Sequence, residues 1–118
     1  MAQPFSMLLG IVLLGVGLWG TFTGGHDHNL IIFGINGSHN LVHVISGALA
    51  IGVSLGSGAY AKAYCVAFGA IYGLVAIAGF ANISAVVQML NLNAADNLLH
   101  LGIGAVCLLV GLQSKPAS

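Results

Sequence analysis

The sequence predicts an all-α integral membrane protein with four transmembrane helices, arranged as two tandem repeated helical hairpins in one domain over residues 1–118. The chain is 58% hydrophobic and only 3% charged, whereas soluble domains carry about a quarter charged residues. Its 118 residues contain four apolar runs, and one helical membrane crossing uses roughly 20 residues. A polar pattern also occurs twice. These three observations carry the prediction.

The four apolar runs are separated by segments that hold nearly all the turn-forming and ionisable residues. Each run is predicted to be a helix: Phe5–Phe22, Leu41–Leu55, Tyr60–Ala81 and Leu98–Leu112. A secretory signal is the alternative for the first run. Because no Lys or Arg precedes its apolar core and no clear cleavage motif follows, we expect a retained helix.

The basic residues predict the orientation in the membrane. Apart from histidine they are Lys62, in the second loop, and Lys115, in the tail, and four crossings place both on one side. Cytoplasmic segments are enriched in Lys and Arg, so both termini are expected to be cytoplasmic. The expected location is a bacterial inner membrane, or a photosynthetic membrane.

A polar pattern in the second run recurs 57 residues later in the fourth. "NGSHNLVHVISGAL" begins at Asn36 and "NAADNLLHLGIGAV" begins at Asn93, and both hold two asparagines and a histidine at the same spacing. The same shift is expected to carry the first helix roughly onto the third, which gives repeats of about 5–56 and about 60–113. Each repeat has two crossings, so a pseudo-twofold axis along the membrane normal should relate the copies.

The recurring polar residues lie where the second and fourth helices begin and where backbone N–H groups lack partners. Four residues of the preferred capping types stand at these positions: Asn36, Ser38, Asn93 and Asp96. One turn deeper lie two Asn–His pairs: Asn40 with His43, and Asn97 with His100. Hydrogen bonds from one pair to the other are predicted to form a polar clasp between the hairpins, joining His43 to Asn97 and His100 to Asn40.

A metal site is the alternative interpretation of this region. His39 and His43 are four residues apart, as are Asp96 and His100, so each pair shares one helix face. Together they would offer three imidazoles and one carboxylate to a divalent ion. Capping explains the first-turn residues equally well, so the structural clasp is the main prediction and no cofactor is predicted.

A tetrapyrrole is a further alternative. Haem or (bacterio)chlorophyll needs an imidazole beside a flat surface of small residues. His43 with Gly47 one turn further along the helix, or His100 with Gly104, would supply such a surface. Glycine four residues from a polar residue is also ordinary packing between membrane helices. The glycines therefore do not favour a pigment over simple helix contact.

The loops on the outer side carry two other features. His26 and His28 flank Asp27, a setting that would bind a transition metal or change charge between pH 5 and 8, although a solvated loop is the simpler interpretation. The apolar stretches "NLIIFGI" and "ISAVVQML" are too short to cross a membrane. We expect them to lie at the interface as re-entrant turns or amphipathic pieces.

The twice-occurring signature N-x-x-x-N-L-x-H, followed each time by a glycine-bearing helix, resembles a bacterial family of small four-helix membrane proteins, domain-of-unknown-function family 4383. The segments "HNLVHVISGAL" and "DNLLHLGIGAV" carry the resemblance. The other two helices match it only in hydrophobicity and glycine content. The resemblance implies a four-helix membrane fold and no particular activity.

The residues present exclude several classes of function. The sequence has no glycine-rich phosphate loop, no paired acid and base, no activated nucleophile and no basic patch for nucleic acid. We therefore expect a non-catalytic protein of the lipid bilayer. Its expected role is that of an accessory or scaffolding subunit of a larger respiratory or photosynthetic complex. It is expected to associate with other membrane-protein subunits or with copies of itself. The alternative is a metal- or tetrapyrrole-binding membrane protein that uses His43 and His100.

Overall fold

The computed structural model describes residues 2–23, 27–30 and 33–114. Within these ranges the chain forms five helices and one small antiparallel β-hairpin, in the order α1 (Ala2–Thr23), β1 (His28–Leu30), β2 (Phe33–Ile35), α2 (Gly37–Ser54), α3 (Gly58–Phe80), α4 (Ser84–Leu90) and α5 (Ala94–Gln113). The predicted helical fold class is confirmed for this part of the chain. Lys115 and His26 lie outside the described residues.

Three of the described helices, α1, α3 and α5, are long and apolar enough to cross a membrane. The second predicted span, α2, is not among them. It has 18 residues, or about 27 Å at the usual helical rise, against a hydrocarbon layer of about 30 Å. Its first two turns also carry polar side chains. The membrane character of the chain is thus confirmed, and the fourth span stays a prediction.

The long helices pack in pairs through glycine, α1 along α2 and α3 along α5. A Cβ atom added at Gly10 would lie 2.7 Å from the carbonyl oxygen of Gly47, and one added at Gly104 would lie 2.7 Å from the backbone nitrogen of Gly73. Real Cβ atoms do not approach that closely. Small residues let helix backbones approach closely where lipid supplies no hydrophobic driving force between helices.

The buried faces of α1 and α3 correspond residue by residue. In α1 the buried residues are Ala2, Ser6, Gly10, Leu13, Gly17 and Gly20. Adding 59 to each number gives six residues that are all buried in α3: Ala61, Cys65, Gly69, Tyr72, Ala76 and Gly79. The sequence shift of 57 predicted for this helix pair is therefore two residues short. Counted between matching buried residues, the path from α1 to α2 is two residues longer than the path from α3 to α5.

The same correspondence holds at the end of the bundle where α2 and α5 finish. Gln3 Nε2 donates to the carbonyls of Ser54, at 3.4 Å, and Gly56, at 2.7 Å. Lys62, which is 59 residues after Gln3, donates from Nζ to the carbonyls of Gly111, at 2.5 Å, and Ser114, at 3.0 Å. These side chains satisfy carbonyls that have no partner within their own helix.

The opposite end of the bundle is covered by the β-hairpin and α4. Asn91 Nδ2 donates to the Ile35 carbonyl at 2.9 Å, and Asn36 Nδ2 donates to the Met89 carbonyl at 3.0 Å. Two stretches were expected to be re-entrant turns or amphipathic pieces. The stretch in the first repeat lies in the β-hairpin, and the stretch in the second repeat forms the seven-residue helix α4. Together they hold polar groups over the first turns of α2 and α5.

Candidate metal centre

The two helices that carry the recurring pattern begin at capped N-termini. Asn36 is the N-cap of α2, and its side chain accepts from the His39 backbone N–H at 3.0 Å. Asn93 is the N-cap of α5 and forms a reciprocal capping box with Asp96, with both bonds 2.9 Å long. Ser38, also proposed as a cap, lies exposed within the first turn of α2 because Asn36 occupies the cap position.

Three buried histidines meet below these caps. His39 and His43 lie one turn apart on α2, with ring centroids separated by 4.4 Å. His100 comes from α5, and its ring centroid lies 5.4 Å from that of His39 and 6.1 Å from that of His43. The three side chains are 2%, 4% and 2% exposed, in the order His39, His43 and His100. The imidazoles are therefore closed off from solvent.

Most of their ring nitrogens have no hydrogen-bond partner among the described residues. His39 Nδ1 lies 3.0 Å from the Leu90 carbonyl, and because a carbonyl only accepts, Nδ1 carries the proton. Its Nε2, both nitrogens of His43 and Nδ1 of His100 are unpartnered. One ligand nitrogen from each histidine lies within 4.8 Å of the other two. A second nitrogen bonded to a backbone carbonyl, as in His39, is typical of metal-ligating histidines.

Asp96, the fourth residue of the predicted metal set, does not belong to this group. Its Oδ2 accepts from the backbone N–H groups of Gly34, at 3.0 Å, and Asn93, at 2.9 Å. At the first turn of α5 the carboxylate is held by backbone donors. The group brought together is therefore three imidazoles with no carboxylate.

The predicted hydrogen bonds of the clasp are not formed. Both nitrogens of His43 and both amide atoms of Asn40 lack a partner in the described structure, so neither the His43–Asn97 bond nor the His100–Asn40 bond exists. Asn40 lies against Gly20 of α1, and Asn97 lies against Gly79 of α3. Three residues along a helix are about 60° apart around its axis, so each asparagine faces its own hairpin partner while the histidines face the centre.

Bonds between the two halves are made one turn nearer the helix starts. His39 binds the Leu90 carbonyl of the later half, and Asp96 accepts from the Gly34 N–H of the earlier half. His39 and Asp96 occupy matching positions, 57 residues apart, in the two copies of the pattern. The two bonds are thus reciprocal, and they use first-turn residues instead of the predicted Asn–His pairs.

A cavity of about 60 Å³ adjoins the histidines and is lined by His39, Val42, His43, Ser46, Phe68, Ile71, Tyr72, Val75, Leu90 and His100. Tyr72 is 3% exposed, its hydroxyl has no hydrogen-bond partner in the described residues, and its ring centroid lies 5.6 Å from that of His100. Sequence reasoning missed Tyr72. The available signal was a tyrosine in the apolar middle of α3.

The surfaces proposed for a tetrapyrrole are covered. Gly47 lies against the backbone of α1 at Leu14, and Gly104 lies against the backbone of α3 at Gly73. Neither glycine presents a flat face beside its histidine, because each is a point of close helix contact. The cavity beside the histidines, about 60 Å³, is also small.

The histidine loop is described only in part, since His26 lies outside the described residues. Asp27 Oδ1 accepts from Asn36 Nδ2 at 3.0 Å, and His28 Nε2 lies 2.8 Å from Thr23 Oγ1. Neither Asp27 nor His28 is part of the three-histidine group.

The described structure therefore defines a helical protein with three helices long and apolar enough to cross a membrane and a buried cluster of histidines. The family profile described as "Domain of unknown function (DUF4383)" matches residues 3–113, and the chain belongs to that family. This confirms the resemblance found from the sequence. Comparison with curated proteins gives no match, and comparison with solved structures gives none.

Proposed function

We propose that this protein binds one transition-metal ion inside the membrane, at His39, His43 and His100. One observation carries the proposal. Three buried imidazoles, each with an unpartnered nitrogen among the described residues, place one ligand nitrogen apiece within 4.8 Å of the other two. A buried polar atom without a partner destabilises a fold by about 1–3 kcal/mol. One ion would satisfy a nitrogen on each ring at once.

The donor set indicates the class of ion. Neutral imidazole suits zinc, copper, iron and nickel, whereas calcium and magnesium prefer oxygen ligands. Zinc–nitrogen bonds of about 2.0–2.1 Å in tetrahedral geometry place ligand nitrogens roughly 3.4 Å apart. The ligand atoms of the observed group lie within 4.8 Å of one another, so they would draw together by up to about 1.4 Å on binding zinc.

Metal analysis of the purified protein tests the proposal. After chelation and removal of free metal, we expect Zn²⁺ or Co²⁺ to bind at about one ion per chain. His39→Ala, His43→Ala and His100→Ala should each abolish this binding. His28→Ala is the matched control, since it removes a histidine outside the cluster and should leave the stoichiometry unchanged. Binding that survives the loss of all three cluster histidines would refute the proposal.

We further propose that α2 is a fourth span and that the chain is a duplicated hairpin with both termini cytoplasmic. Several exposed residues of α2 are large and apolar, as expected for a face in lipid: Leu41, Val42, Ile45 and Leu49. The matching buried faces of α1 and α3 and the matching bonds of Gln3 and Lys62 support the duplication.

Cysteine labelling in intact cells tests this topology. A cysteine at Gly56, in the loop between α2 and α3, should be protected from an impermeant maleimide, and a cysteine at Ser84, between α3 and α5, should react. Native Cys65 and Cys107 are buried and provide the background. Labelling of both engineered sites from the same side would contradict the four-span arrangement.

A non-catalytic accessory role is a second candidate, and it is compatible with metal binding. Gly15, Gly52, Gly73 and Gly102 lie on long helices, and a Cβ atom added at any of them would meet nothing within 4 Å. Outward-facing glycines suit close packing against another helix, from another subunit or from a second copy. Co-migration with other subunits after gentle detergent extraction is expected, and migration as a lone monomer would oppose this role.

A further inference from the structure

We propose that the metal at this site keeps one open coordination position, that a small inorganic anion binds there, and that the Tyr72 hydroxyl donates a hydrogen bond to it. This inference rests on the proposed metal site. It goes further because it assigns a ligand to the cavity beside the histidines.

The number of protein ligands leaves a position open. Structural zinc sites close with four protein ligands, whereas three-histidine sites keep the fourth position for water or another ligand. The described residues supply three candidate ligands here, and the nearest carboxylate of the pattern, Asp96, is held by backbone N–H groups. The cavity of about 60 Å³ is bounded by all three histidines, so space for a fourth ligand adjoins the site.

Tyr72 supplies the second, independent observation. Tyr72 lines the same cavity beside Ser46, and its hydroxyl has no hydrogen-bond partner in the described structure, although the side chain is 3% exposed. Tyr64, two turns earlier on α3, shows the usual outcome for a buried tyrosine, since its hydroxyl donates to the Ser46 carbonyl at 2.8 Å. The hydroxyl of Tyr72 is therefore a donor available to a ligand in the cavity.

Charge and size define the ligand. Three neutral imidazoles leave the charge of a divalent ion uncompensated, and buried charge is strongly unfavourable without a partner. The two acidic residues of the chain, Asp27 and Asp96, are hydrogen-bonded elsewhere. An anion from solvent lowers the net charge. The cavity, at about 60 Å³, is small, so only a compact inorganic anion of a few atoms fits.

The test uses the full chain in detergent, loaded with Co²⁺, whose visible absorption spectrum reports coordination. Azide is the probe. We expect azide to change the spectrum saturably. Tyr72→Phe should keep the Co²⁺ stoichiometry but weaken azide binding roughly tenfold, the equivalent of about 1.4 kcal/mol. Tyr64→Phe, which removes a tyrosine hydroxyl that already has a partner, is the matched control and should bind azide as the wild type does.

The outcomes separate the two proposals. If Co²⁺ fails to bind at the histidines, the metal site itself is refuted and the anion site with it. If Co²⁺ binds but azide leaves its spectrum unchanged, the metal site stands and the open position is refuted. If azide binds equally to both tyrosine variants, the role of Tyr72 is refuted.

Discussion

Replacing His43 by leucine should have opposite effects on stability with and without metal. His43 is 4% exposed, and neither of its ring nitrogens has a hydrogen-bond partner in the described residues. A buried unsatisfied polar atom costs about 1–3 kcal/mol, and leucine fills a similar volume without polar atoms. In the presence of chelator, His43→Leu should therefore be more stable than the wild type by about 1–3 kcal/mol.

Metal should reverse this order. A ligand present at 1,000 times its dissociation constant stabilises the folded state by about 4.1 kcal/mol, which exceeds the largest advantage expected for the leucine variant. The wild type should gain this stability with Zn²⁺, whereas His43→Leu, which lacks a ligand, should gain none. Thermal unfolding in detergent, run with EDTA and with Zn²⁺, measures both differences. If the leucine variant is less stable than the wild type in EDTA, or if Zn²⁺ stabilises both equally, the reasoning is wrong.

Three further predictions test the packing and the site. Gly79→Ala places a methyl group against the Asn97 amide and should destabilise the fold by about 1–3 kcal/mol in thermal unfolding, whereas Gly73→Ala, where a Cβ meets nothing within 4 Å, should be neutral or slightly stabilising. Lys62→Met removes both donors to the end of α5 and should lower stability by about 1–2 kcal/mol; Lys62→Gln should restore much of this, because Gln3 makes the equivalent bond. Metal occupancy should be lost on strong acidification, since protons compete for the imidazole nitrogens, and occupancy that persists after the imidazoles are protonated would oppose histidine ligation.

Much of the architecture was predictable because membrane burial and helical periodicity leave strong sequence signals. Low charge and apolar runs indicated spanning helices, and three of the described helices are long and apolar enough to cross a membrane. The β-hairpin was not predicted, because its strands are only three residues each and show no clear alternation. The offset of 59 between α1 and α3 was also missed, since those helices share small buried residues and no polar pattern that fixes the register.

The sequence indicated which residues form the candidate site better than it indicated which groups each of them would hydrogen-bond. Spacing of four residues predicted His39 and His43 on one helix face, and in the structure the rings of His39, His43 and His100 lie close together. Spacing alone did not show which polar groups the backbone would engage. Asp96 is held by Gly34 and Asn93, and the Gly34 contact depends on a hairpin that the sequence did not indicate.

The histidine cluster depends on differences between the two halves as much as on their likeness. His43 and His100 occupy matching positions, so a duplicated frame alone supplies two imidazoles. The third, His39, matches Asp96 in the other half, and Tyr72 matches Leu13. A symmetrical chain with aspartate at both first-turn positions would have two carboxylates held by backbone donors and only two histidines in the centre. The third imidazole and the cavity hydroxyl thus both stand where the copies diverge, and it is these two positions that turn a packing arrangement into a candidate binding site.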